Sequence, residues 1–171
     1  MSKTTLTHQL TETVEELSCL QSLKGLFHQH RDGNPLPSGK ALEEIIDLSR
    51  SILFPGYFGN SSVNISTIKY HIGVRLEKLY ARLSEQILAG LCFTNECEEE
   101  TTQELSMARA RASIMAAQAI NTFPKLRKIL ATDVEAAFEG DPAAKSIGEI
   151  IACYPVIKAL ANYRVAHELS L

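Results

Sequence analysis

The residues best placed to do chemistry sit at a corner of the chain. Asp141 lies between Gly140 and Pro142 in the run GDPAAKS. A glycine there stops a helix, and the proline fixes its own φ and lacks an amide, so the carboxylate is carried on a tight turn. Two roles are open to it. Asp141 can cap the amides of Ala143 or Ala144, as aspartates do at turns. It can instead be held ready for an ammonium group, which gains from charge-assisted hydrogen bonds. The residues alone leave both readings standing.

The other candidates read as structural. His28 and His30 are two apart and face different ways on a helix, which is poor spacing for a metal. His71, near Arg75 and Glu77, reads as a surface or packing histidine. Lys125, Arg127 and Lys128 read as a solvated helix face before they read as an anion site. Glu98, Glu99 and Glu100 suit the positive end of a helix dipole. Cys19, Cys92, Cys97 and Cys153 form no CxxC pair and no zinc-finger spacing, and are expected to be free thiols. There is no GxSxG elbow and no glycine-rich phosphate loop. The residues thus define no catalytic constellation, no metal site and no cofactor site.

The elements that position the corner are helical. Leu6, Leu10, Val14, Leu17 and Leu20 recur every three or four residues, an amphipathic stripe expected to run to about His28. RDGNPLPSG then forms a loop, and Ser38 caps a helix with Leu42, Ile45, Ile46 and Leu48 inward. The second loop, Leu53 to Ser62, holds Phe54, Tyr57 and Phe58, and a loop that apolar should dock on the core. A long helix follows from about Asn64 to Leu91, with Ile68, Ile72, Leu76, Leu79, Leu83 and Ile87 buried. Gly73 within it would admit a close neighbouring helix. The acidic run Glu96 to Glu100 opens an alanine-rich helix (Met107 to Ile120) whose small residues suit close packing or self-association.

Pro124 restarts the chain as a helix to Gly140, with Leu126, Ile129, Leu130, Val134, Ala137 and Phe138 inward. Thr132 and Glu135 have capping-box spacing, which places a break near Thr132; Ser146 and Glu149 repeat that spacing beyond the corner. Pro155 must kink or restart the next helix. The last, Val156 to Leu171, turns Ile157, Leu160, Ala161, Val165 and Leu169 inward. No period-two strand appears. The fold expected is all-α, a bundle of about seven helices. The last helix lacks a stop signal, so the sequence is expected to continue beyond Leu171.

Bulk properties exclude little but consistently. The 171 residues carry 45 % hydrophobic and 22 % charged side chains, an ordinary globular balance. A domain near this size buries roughly 70 % of its unfolded surface. The net charge of −3 argues against non-specific nucleic-acid binding. No apolar run approaches the ~20 residues of a membrane span. MSKTTLTHQL has no apolar signal core, so a cytoplasmic location is expected.

The segment DVEAAFEGDPAAKSIGEIIACYPVIKALANYRVAHEL (Asp133 to Leu169) resembles the signature that leads into the catalytic domain of serine O-acetyltransferases. Asp133, the DPAA loop at Asp141 to Ala144, the CYP step at Cys153 to Pro155, and YRVAHEL at Tyr163 to Leu169 match in order and spacing. LFPGYFG and IKYHIGVRLEKL resemble, more loosely, the long N-terminal extension of some members. The resemblance implies a division at residue 120: an extension over 1–120, and serine-site helices with the lead-in to a further domain over 121–171, the two expected to form one compact helical domain. That further domain is a left-handed parallel β-helix of hexapeptide repeats.

The resemblance also implies an activity. These enzymes move an acetyl group from acetyl-CoA to the hydroxyl of L-serine, a step of cysteine biosynthesis, with a histidine–aspartate pair as general base. Asp141 and Pro142 carry over as serine-binding, Asp141 on the substrate's ammonium group. The catalytic histidine and aspartate, the arginine for the serine carboxylate and the coenzyme-A groove belong to the β-helix. This sequence has no hexapeptide repeat, so no catalytic residue is expected in it and the chain alone should be inactive. His167 is the family's helix histidine, not the base, and reads as packing. The expected partners are L-serine, further copies in a trimer or a dimer of trimers, and cysteine synthase through a C-terminal tail outside this sequence. The rival reading is a free-standing helical interaction module without enzymatic activity.

Overall fold

A computed structural model of the chain describes residues 3–24, 26, 36–59, 62–93 and 102–170. They form eight helical segments, and no strand occurs among the described residues. The chain divides into two compact units, Met1–Asn34 and Pro35–Leu171. The first holds α1 (Lys3–Ser18) and the single turn α2 (Leu20–Leu23). The expectation of one helix to about His28 is corrected here. Cys19 leaves helical geometry with ψ 127, and Lys24 ends α2 in the left-handed region at φ 42. Leu6, Leu10, Val14 and Leu17 do form the expected stripe, yet all are more than half exposed. His28, His30, most of the first loop and the acidic run Glu96 to Glu100 lie outside the described residues.

The second unit holds α3 (Gly39–Leu53), α4 (Ile68–Phe93), α5 (Thr102–Asn121), α6 (Phe123–Gly140), α7 (Ile147–Cys153) and α8 (Pro155–Ser170). The Ser38 hydroxyl accepts from the Ala41 amide and caps α3 as its sequence implies, while the Ser38 amide donates to Gln86 Oε1 of α4 at 2.8 Å. Asn64 closes an Asx turn, its Oδ1 accepting from the Thr67 amide at 3.0 Å, so α4 opens at Ile68 rather than at Asn64.

One core cluster unites α3, α4, α6, α7 and α8 through Ile45, Leu79, Leu130, Ile150, Ile157 and Val165, each at most 1 % exposed. A second joins the end of α4 to α5, where Leu88 and Leu91 meet Ala112. The alanines of α5 work here as small residues against α4, and Ala112 and Ala116 are fully buried.

Four sequence expectations are corrected. Thr132 does not break α6: its hydroxyl donates back to the Ile129 carbonyl, and the helix continues to Gly140. Nothing approaches the site of a Cβ on Gly73 within 4 Å, so that glycine admits no close neighbour. Leu42 is half exposed and Leu169 37 % exposed, because each lies at the edge of its helix's inward face. The second loop docks as expected through Phe54 and Phe58, whose rings meet edge-on at 5.9 Å, but Tyr57 stays exposed.

Candidate functional site

The corner is assembled by short-range rules and closed by one long-range bond. α6 ends at Gly140, and Asp141 is extended at φ −117, ψ 101. The Ala144 amide donates to the Asp141 carbonyl at 3.0 Å, which closes the turn that Pro142 pre-sets. Asp141 Oδ1 accepts from the Ala143 amide at 2.9 Å. Five residues after Asp141, Ser146 caps α7, accepting from the Glu149 amide at 3.1 Å. Glu149 Oε2 in turn accepts from the Lys145 amide at 2.8 Å, one residue earlier than in the usual capping box.

α7 lasts only seven residues because Pro155 follows. A residue before proline is pushed out of the helical region, and Tyr154 is accordingly extended at ψ 116. That bend returns the Tyr154 side chain to the corner, where its hydroxyl donates to Asp141 Oδ2. Both carboxylate oxygens are therefore oriented from within the chain, while Asp141 remains half-buried and Pro142 exposed. A carboxylate has about four acceptor sites, so two bonds leave capacity for a ligand.

The charge states follow from these bonds. The Tyr154 hydroxyl, and after it the Ala143 amide, hold the Asp141 carboxyl below the usual carboxylate range. The same bond, with burial and the carboxylate's charge, pushes Tyr154 up to about 12. At neutral pH the corner is an oriented anion beside a neutral phenol. An ionised acceptor with free lone pairs can hold an ammonium or another multi-donor cation.

Behind the corner Asp133 of α6 takes both oxygens to Arg164 of α8, at 2.8 Å each, with the two side chains 17 % and 29 % exposed. Tyr154 and Arg164 are the residues to which the sequence assigned no role. Their partners stand 13 and 31 positions away, and only the pairing of an aspartate with an arginine of opposite charge offered a signal.

The remaining candidates stay apart from the corner. His71 Nδ1 lies 2.9 Å from Arg75 Nη1 within α4, and burial followed by the Arg75 charge keeps its pKa below the ordinary histidine value. Arg127 donates to the Ile52 carbonyl at the C-terminal end of α3, which suits a cation, while Lys125 and Lys128 are exposed. His167 stacks on Tyr163 at 6.1 Å on an exposed face of α8. Cys19, Cys92 and Cys153 are free thiols. No group of three or more potential metal ligands occurs among the described residues. No described helix is long and apolar enough to cross a membrane.

No family model matches the chain. It is 41 % identical over 138 residues to a plasmid serine acetyltransferase of Synechococcus elongatus, in an alignment that takes in 79 % of this chain and 42 % of that protein. A further serine acetyltransferase of the same organism is 50 % identical over 42 residues, 25 % of this chain and 17 % of its own length. Over the longer alignment the helical bundle of this chain is similar to part of a serine acetyltransferase. The chain spans less than half the length of the relative that it matches over most of its own.

Proposed function

We propose that this chain is the helical domain of a serine O-acetyltransferase and that its corner at Asp141 and Pro142 holds the amino-acid substrate. One observation carries the reading: an ionised, half-buried carboxylate is aimed by the Tyr154 hydroxyl and the Ala143 amide and keeps acceptor sites open. The ammonium group of L-serine fits that charge and donor count. Pro142 makes the turn rigid, so little orientational freedom is lost when the ammonium binds. Acetyl-CoA is the co-substrate, and the base that takes the serine hydroxyl proton belongs to a catalytic domain outside this sequence. The chain alone is inactive, since a pocket for one substrate without a base or a thioester site does not lower the barrier. The domain works in the cytoplasm, in cysteine biosynthesis, and associates with further copies of itself. A tail outside this sequence carries the contact with cysteine synthase.

The test is steady-state kinetics of the complete gene product with Asp141→Ala. The serine KM is expected to rise on the order of tenfold or more, as for loss of a charge-assisted bond, with the acetyl-CoA KM unchanged. An unchanged serine KM removes Asp141 from the pocket. A complete gene product that forms no O-acetylserine refutes the reading as a whole.

A further inference from the structure

The loop between α3 and α4 reaches the corner from a distant part of the chain. Pro55 to Gly59 is fixed at several points. The Tyr57 amide donates to the Phe54 carbonyl at 3.2 Å, and the Arg50 guanidinium lies 5.5 Å above the Phe58 ring. Gly56 and Gly59 take φ of +88 and +95, which side chains rarely adopt. A Cβ on Gly59 would meet Arg75 Nη2 at 2.8 Å, so the loop also sits flush on α4. Arg127 of α6 ties off the α3 carbonyl from which the loop departs.

A loop so fixed presents one side chain to α7. The Tyr57 hydroxyl and Cε1 lie 3.3 and 3.6 Å from where a Cβ on Gly148 would stand. The first of these is closer than ordinary van der Waals contact, so glycine at 148 is what lets the tyrosine bear on the first turn of α7. That turn begins at the Ser146 cap, and the chain leaving α7 carries Tyr154, which aims Asp141. α7 is only seven residues long, about two turns, so its first turn and the Tyr154 that leaves it stand close together.

We propose that Tyr57 is a positioning residue for substrate binding: bearing on Gly148, it fixes α7 and through Tyr154 sets the direction of the Asp141 carboxylate. The inference rests on the reading of Asp141 as the ammonium site. It gives the loop a role that packing alone does not require, because 46 % of Tyr57 is left in solvent. A displacement of the carboxylate by a fraction of an ångström weakens its bond to the ammonium without touching the other substrate.

The experiment compares Tyr57→Ala, Tyr57→Phe, Gly148→Ala and Asp141→Ala in the complete gene product, reading KM for each substrate, kcat and Tm. Tyr57→Ala is expected to raise the serine KM on the order of fivefold with the acetyl-CoA KM and Tm held. Tyr57→Phe loses the nearer hydroxyl but keeps Cε1 against Gly148, and is expected to raise the serine KM less than Tyr57→Ala does. Gly148→Ala displaces the tyrosine and raises the serine KM likewise, and the double variant is no worse than the weaker single one, since both break one contact. If Tyr57→Ala does not fold, Gly148→Ala, which keeps the tyrosine, decides. A serine KM unmoved by Tyr57→Ala, or a parallel rise in both KM values, overturns the proposal while Asp141→Ala still raises the serine KM. An unmoved serine KM in Asp141→Ala overturns the reading of the corner and this inference with it.

Discussion

The first and last long helices carry the same kind of pattern and meet different fates. In α1, Leu6, Leu10, Val14 and Leu17 recur at helical spacing, and each is more than half exposed. In α8, Ile157, Ala161 and Val165 recur at the same spacing, and none exceeds 1 % exposure. Periodicity specifies that a segment is helical and which face is apolar. It does not specify what covers that face. α8 is covered because α3, α6 and α7 bring Ile45, Leu130 and Ile150 into the same cluster, and because Arg164 on its flank finds Asp133.

That contrast breaks most sharply at the core. Ile157→Ala should cost about 2–5 kcal/mol in urea-induced unfolding, whereas Leu10→Ala should stay within about 0.5 kcal/mol. Equal losses would mean that α1 is as deeply covered as α8. The next largest effect lies on the flank. Arg164→Ala leaves a half-buried carboxylate on Asp133 and should cost about 1–2 kcal/mol, and adding Asp133→Ala should recover part of it. Simple additivity of the two would show that the pair is not coupled.

The smallest effect concerns the corner between these helices and is read by pH. Tyr154 titrates at about 12 when folded and near its ordinary value of about 10 when unfolded. Its contribution to stability is thus present below pH ~10 and lost as the pH rises through ~12. Asp141 has the opposite sign: its folded pKa is lowered, so its contribution is present above the ordinary carboxylate range and lost as the pH falls below that range through the lowered folded value. Replacing Asp141 with Asn should move one of the five tyrosines back toward its ordinary titration, followed by phenolate absorbance. An unchanged tyrosine titration would mean that the bond does not form.

What was legible in the sequence was local. Ser38 and Ser146 cap the helices that their spacing assigns to them, Gly140 ends α6, and Pro155 restarts the chain as α8. These signals act within four residues, through backbone amides that any fold must satisfy. Signals of the same form failed where a competing local bond won. Thr132 resembles a cap, but its hydroxyl is taken by the Ile129 carbonyl inside the helix. The end of α1 at Ser18 carries no glycine or proline, so nothing marked it. Of the corner, the tight turn and the Asp141–Ala143 bond were legible as one of two roles. The hand of Tyr154 on the second oxygen was not, because it depends on α7 being short enough to return the chain.

Asp141 gives up its proton earlier than carboxylic acids usually do, and Tyr154 keeps its own later than phenols usually do. The proton between them has one address from mildly acidic to strongly alkaline solution. A bell-shaped rate profile of the complete protein would therefore report groups elsewhere, with the corner entering it as a constant.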